Sequence, residues 1–130
     1  RLALEELFQP LAEEYKPEII IRNGGSDPHF ADMLGGLNLT LEGFKLIGEK
    51  TRIVADKICH GRLVSLIGSG YNRKVLPYAW LAMISGATGV EVGLEEPIRK
   101  PSGEIHLNRL DETLRIIGEV KGKLRNYWKL

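Results

Sequence analysis

Apolar positions along the chain follow two different periods. Leu4, Leu7, Leu11 and Tyr15 recur every three or four residues, the spacing of an amphipathic helix, and Pro17 closes that stretch. Glu18-Ile19-Ile20-Ile21-Arg22 comes next. Its three consecutive isoleucines predict a strand buried on both faces, as in parallel sheets. Asn23 to Asn38 keeps neither period and holds Gly24, Gly25, Pro28, Gly35 and Gly36, which predicts a long loop. Loops of that length in small domains are more often functional than filler. Thr40 is a suitable helix N-cap, Glu42 complements the helix dipole, and Leu39 is placed to staple against Phe44. Phe44, Ile47, Thr51, Val54, Ala55 and Ile58 form the stripe this helix is expected to bury, with Gly61 as its left-handed stop.

Arg62-Leu63-Val64-Ser65-Leu66-Ile67 predicts a second short strand, and Gly68-Ser69-Gly70-Tyr71 a tight turn. Val75, Ala79, Trp80 and Met83 mark a further helix, in which Pro77 signals a kink or a late start. Residues 88–104, with Pro97, Pro101 and Gly103, read as an irregular loop. Leu107, Leu110, Leu114, Ile117, Leu124 and Tyr127 then predict a closing helix over 105–128, with a basic end at Lys121, Lys123 and Arg125. Two apolar strands joined by a helix predict a right-handed βαβ unit with parallel strands. Two strands are few for 130 residues, so the sheet is expected to be part of a larger one. Its uncovered edge invites self-association, and a homo-oligomer is expected.

Composition narrows the class. Lys and Arg total 18 against 17 Asp and Glu, a net charge of +1, which gives no electrostatic footprint for nucleic acid or a membrane surface. A single cysteine, Cys59, excludes an internal disulfide and, with only 3 histidines, a Cys/His zinc finger. No apolar run approaches the ~20 residues of a bilayer span, and no signal-peptide pattern opens the chain. A soluble, cytoplasmic protein is expected. The chain opens on Arg1 and its first methionine is Met33, so a piece of a longer protein is expected, with the missing part upstream.

In open parallel sheets, ligands bind beyond the carboxyl ends of the strands. Here those ends are Gly24-Gly25-Ser26-Asp27-Pro28-His29 and Gly68-Ser69-Gly70-Tyr71, one offering a carboxylate and the other a phenol. Gly68-x-Gly70 between strand and helix has the start of a dinucleotide fingerprint. The third glycine position is Arg73, and no P-loop Lys-Ser/Thr follows, so nucleotide binding is not favoured. Asp27 has three readings: metal ligand, general base, or loop carboxylate bonding nearby amides. Tyr71 is either a proton donor to an oxyanion or an amphipathic residue burying its ring. Asp27-x-His29 is too common a pair to be diagnostic. His60 beside Cys59 reads as a dipole-favoured cation beside a buried thiol, and His106 has no evident partner.

Taken in order, three motifs resemble the histone deacetylase family, including its acetoin-utilisation and acetylpolyamine deacetylases. They are Pro17-Glu18-Ile19-Ile20-Ile21-Arg22-Asn23-Gly24-Gly25-Ser26-Asp27-Pro28-His29, then Asp32-Met33-Leu34-Gly35-Gly36-Leu37-Asn38-Leu39-Thr40-Leu41-Glu42-Gly43-Phe44, then Gly68-Ser69-Gly70-Tyr71-Asn72. The resemblance runs from about Leu7 to about Gly89 and is loose from Val90 onward. It implies the C-terminal part of a single deacetylase domain. The implied fold is α/β: a three-layer α/β/α, arginase/deacetylase-like arrangement with a mostly parallel sheet, present only in part.

The resemblance also implies roles. Asp27 matches a zinc-ligand aspartate, Tyr71 the tyrosine that hydrogen-bonds the scissile amide oxygen, and Gly70, with Ser69 beside it, the substrate channel. The implied activity is zinc-dependent hydrolysis of an N-acetyl amide, with an acetylated amine or acetyl-lysine as substrate. Ser26, Ser69 and Met33 depart from the family's usual residues. The family's paired histidines and its Asp-x-His zinc ligands fall upstream of this sequence, and His29 has no ligand counterpart. The segment is therefore expected to retain no zinc and to be inactive alone. The alternative is a non-catalytic truncated relative acting as a binding or assembly module.

Overall fold

A computed structural model describes residues 1–99 and 109–129. His106, Leu107 and the start expected for the closing helix lie outside the described residues. The chain forms two compact units, one spanning residues 18–99 and the other combining 1–17 with 109–129.

In the larger unit, strand β1 (Ile20–Gly24) and strand β2 (Leu63–Ile67) pair in parallel, from Ile20 opposite Leu63 to Gly24 opposite Ile67. Parallel neighbours need a crossover, supplied here by helix α2 (Leu41–Cys59). Its start follows the expected chemistry, since Thr40 Oγ1 accepts the Gly43 N–H at 3.4 Å. Its end differs by one position. His60 takes the first left-handed conformation (φ 56°) and Gly61 the second (φ 75°), with the Gly61 N–H bonded to Ala55 O.

Helix α3 (Leu76–Thr88) places Pro77 in its first turn, where the missing N–H leaves no helical bond unmade. Leu41 and Phe44 of α2, Val75, and Ala79, Ala82 and Met83 of α3 form the core. The two helices meet at a pair of glycines. A Cβ on Gly48 would lie 2.4 Å from Met83 O, and one on Gly86 2.0 Å from Lys45 O. This contact explains why Gly48 is buried while Ile47 and Ile58, expected in the buried stripe, are only half-buried.

The isoleucine run differs from the expectation of a strand buried on both faces. Ile20 is 8% exposed, but Ile19 and Ile21 are 47% and 62% exposed. Successive side chains alternate faces, so Ile20 turns to the helices while Ile19 and Ile21 share the opposite, open face. Val64 and Leu66 of β2 are likewise exposed.

In the smaller unit, helix α1 (Gln9–Tyr15) follows a π-helical segment, Leu4–Phe8. The wider turn lies immediately before Pro10, which cannot donate a backbone bond. Ala12, rather than the leucine stripe, is the buried residue, and Tyr15 is exposed. Helix α4 (Leu110–Leu124) buries Ile117, and Lys121 Nζ donates to Glu6 Oε2 at 2.5 Å. No helix among the described residues is long and apolar enough to cross a membrane.

Candidate active site

Because β1 and β2 run in parallel and in register, Gly24 and Ile67 deliver the following segments to the same end of the sheet. The strand ladder continues past them: the Gly68 N–H donates to Gly24 O and the Ser26 N–H to Ser69 O, each at 2.8 Å. Ser69 Oγ then donates to Asp27 Oδ1 at 2.5 Å. The predicted metal ligand and the predicted channel residue therefore touch. The close approach depends on glycine, for a Cβ on Gly25 would lie 2.1 Å from Ser69 Oγ and 2.3 Å from Asp27 Oδ1.

Gly70 adopts φ 148°, and a Cβ there would lie 1.9 Å from Ser26 Oγ. That hydroxyl is buried and has no hydrogen-bond partner among the described residues. Tyr71 is 51% exposed, so its ring stands at the surface while its backbone is held from beneath.

The holding group is Asp32. Its Oδ1 accepts the N–H groups of Leu34 (2.9 Å) and Gly35 (3.2 Å); its Oδ2 accepts those of Tyr71 (2.9 Å) and Asn72 (3.1 Å). Burial works against its charge, but the four backbone donors outweigh that and hold the carboxyl below the ordinary carboxylate range. Asn72 adds a second tie, donating from Nδ2 to Ala31 O at 2.7 Å. Sequence reasoning assigned Asp32 no role. Its one local signal is the spacing to Leu34 and Gly35, that of an aspartate capping its own turn.

His29 turns the other way. It is fully buried, its Nδ1 accepts the Ala31 N–H at 3.0 Å, and its ring stacks on Phe44 with centroids 6.2 Å apart. With Nδ1 accepting, Nε2 carries the proton and donates to Glu96 Oε2 at 3.0 Å. Glu96 Oε1 accepts the Leu41 N–H at 2.6 Å. Asp27 and His29 thus serve different neighbours. His60 is exposed, and Cys59 is a buried free thiol whose Sγ lies 3.4 Å from Arg62 O.

A zinc ion in a hydrolase normally takes three protein ligands and a water. Among the described residues no cluster of three His, Cys, Asp or Glu side chains can hold a metal. Asp27 is one candidate ligand, and the described residues alone do not fit a zinc site. A separate groove of about 190 Å³ is lined by Leu41, Glu42, Lys45, Ala82, Val92 and Leu94, none of them from the strand-tip loops.

Residues 1–87 match the histone deacetylase domain. A probable deacetylase of Archaeoglobus fulgidus is 31% identical over 136 aligned positions, covering 98% of this chain and 37% of the relative. The acetoin utilization protein AcuC of Staphylococcus aureus is 36% identical over 73 positions, covering 55% of this chain and 19% of its own length. The solved structure of the histone deacetylase Clr3 superposes with a TM-score of 0.60 at 17% identity, covering 96% of this chain and 25% of that one. The chain thus spans well under half the length of each of these proteins.

Proposed function

The chain belongs to the histone deacetylase family and carries part of its α/β fold, and from that premise we propose that it is the portion of a zinc-dependent amidohydrolase that supplies one metal ligand and the oxyanion donor. The whole protein hydrolyses an N-acetyl amide, of the acetyl-lysine or acetylpolyamine type, to the free amine and acetate. Asp27 would be one ligand, holding zinc together with ligands outside this sequence, and the ion would supply Lewis-acid chemistry. Tyr71 donates its phenolic hydrogen to the amide oxygen as negative charge develops there. Gly70 and Ser69 line the channel that receives the acyl group. The 130-residue chain by itself retains no zinc and is inactive. The whole protein works in the cytoplasm, a reducing setting in which a free thiol such as Cys59 persists.

The observation that carries this reading is the contact of the two strand-tip loops through Ser69 Oγ and Asp27 Oδ1, which keeps the carboxylate beside the turn that bears Tyr71. The test is a deacetylase assay of the full-length protein on an acetyl-lysine peptide and an acetylated polyamine. Tyr71→Phe is expected to lower kcat by about 10²–10³. Full-length protein that binds either compound without turnover would favour a non-catalytic binding module. Turnover by the 130-residue chain with added zinc, abolished by Tyr71→Phe, would overturn the assignment of inactivity to the isolated chain.

A further inference from the structure

We propose that Asp32 is a positioning residue for Tyr71, fixing the backbone from which the phenol reaches its substrate; the inference rests on the hydrolase reading above. Tyr71 follows Gly70, whose φ of 148° is open to glycine and strained for other residues, so the turn has no local preference that would hold the tyrosine in place. Its constraint comes instead from 39 residues away in sequence, where Asp32 Oδ2 accepts the Tyr71 N–H at 2.9 Å. The neighbouring Asn72 N–H shares the same oxygen at 3.1 Å, so two consecutive peptide units are pinned to one atom.

The other carboxylate oxygen is anchored in its own loop by Leu34 and Gly35, which prevents the side chain from following the tyrosine if the turn moves. Asp32 is 7% exposed, so water does not readily replace the bonds it makes. Charge-assisted bonds to backbone N–H groups are about twice as strong as neutral ones. An exposed ring on a pinned backbone is the arrangement a donor needs, because a displacement of about 1 Å in a reacting group can cost about 10²-fold in rate.

The experiment is a double-mutant cycle in the full-length protein, with Asp32→Asn, Tyr71→Phe and the pair, each assayed on an acetyl-lysine peptide. Amide hydrogen exchange is measured on the same samples. Asp32→Asn is expected to lower kcat by about 10²-fold with little change in KM, and to speed exchange at the Tyr71 and Asn72 amides. Asp32→Glu, which keeps the charge, is expected to recover part of kcat, and it replaces the asparagine variant in the cycle should that variant not fold. In the Tyr71→Phe background the Asp32 substitution is expected to remove little further kcat.

Equal losses in both backgrounds would overturn the inference, since Asp32 would then act otherwise than through the phenol. Faster exchange at Tyr71 with unchanged kcat would also overturn it, leaving a purely structural tie while Tyr71→Phe still reports on the hydrolase reading. Wild-type turnover in Tyr71→Phe would overturn that reading and this inference together.

Discussion

Glu96 joins two parts of the larger unit through one carboxylate: Oε2 accepts the buried His29 Nε2–H at 3.0 Å while Oε1 accepts the Leu41 N–H at 2.6 Å. The second bond falls at the first residue of α2, where a free N–H and the helix dipole both favour a negative charge. Removing the carboxylate leaves a fully buried ring nitrogen without its acceptor. Glu96→Ala is therefore expected to destabilise the protein by about 1–3 kcal/mol, read as a lower denaturant midpoint. The exposed neighbour is the control, with Glu95→Ala expected to stay within about 0.5 kcal/mol.

Glycines at the α2–α3 crossing and glycines in α4 should respond to alanine with opposite signs. At the α2–α3 crossing, a Cβ on Gly48 or Gly86 would lie 2.4 Å or 2.0 Å from a backbone oxygen, and neither backbone can step aside cheaply. Gly48→Ala and Gly86→Ala are expected to cost about 1–3 kcal/mol each. In α4, a Cβ on Gly118 or Gly122 would meet nothing within 4 Å among the described residues, and both glycines keep helical backbone. Gly118→Ala and Gly122→Ala are expected to add up to about 1 kcal/mol each of helix stability. Thermal melts of the four variants check the contrast.

Acid should act through Asp32. Its carboxyl is held below the ordinary value of 3.8, so the folded state favours the charged form. The stability this provides is complete above the unfolded value and is lost as pH falls through the lowered folded one. Urea midpoints followed from about pH 5 to about pH 2 are expected to fall more steeply for the wild type than for Asp32→Asn. Parallel curves would show that the four backbone donors do not hold the charge.

The Ser69 hydroxyl can be removed without disturbing the ladder, because the backbone bonds at Ser26 and Gly68 do not involve it. Ser69→Gly is expected to cost about 1 kcal/mol and to let the Asp27 carboxylate rotate. Proton–carbon spectra of the Asp27 side chain are expected to show one conformer in the wild type and several in the variant. A single conformer in both would mean that Ser69 does not orient Asp27.

Local chemistry made much of the fold legible. Thr40, Gly61, Pro77 and the two short apolar runs each act within a few residues of their own position, and the order of elements follows from them. The isoleucine run misled because three β-branched residues fit a strand with one open face as well as one with none. The depth of Gly48 was hidden for another reason: a glycine reports a close approach only once the partner helix is known. Asp27 and Tyr71 stood out as loop residues at strand tips, yet their support did not. Asp32 reaches a turn 39 residues away and Glu96 a histidine 67 residues away, and no periodicity records a bond of that span.

The shared oxygen of Asp32 has a consequence for anyone recombining this protein with a relative. The segment after β1 and the turn after β2 are two halves of a single fitting, each shaped against the other through Asp32 Oδ2, Ser69 Oγ and the Ser26–Gly70 contact. A chimaera that exchanges one half alone inherits a mismatched joint, whereas transplanting both as a set carries the complete seat for the tyrosine into the new host.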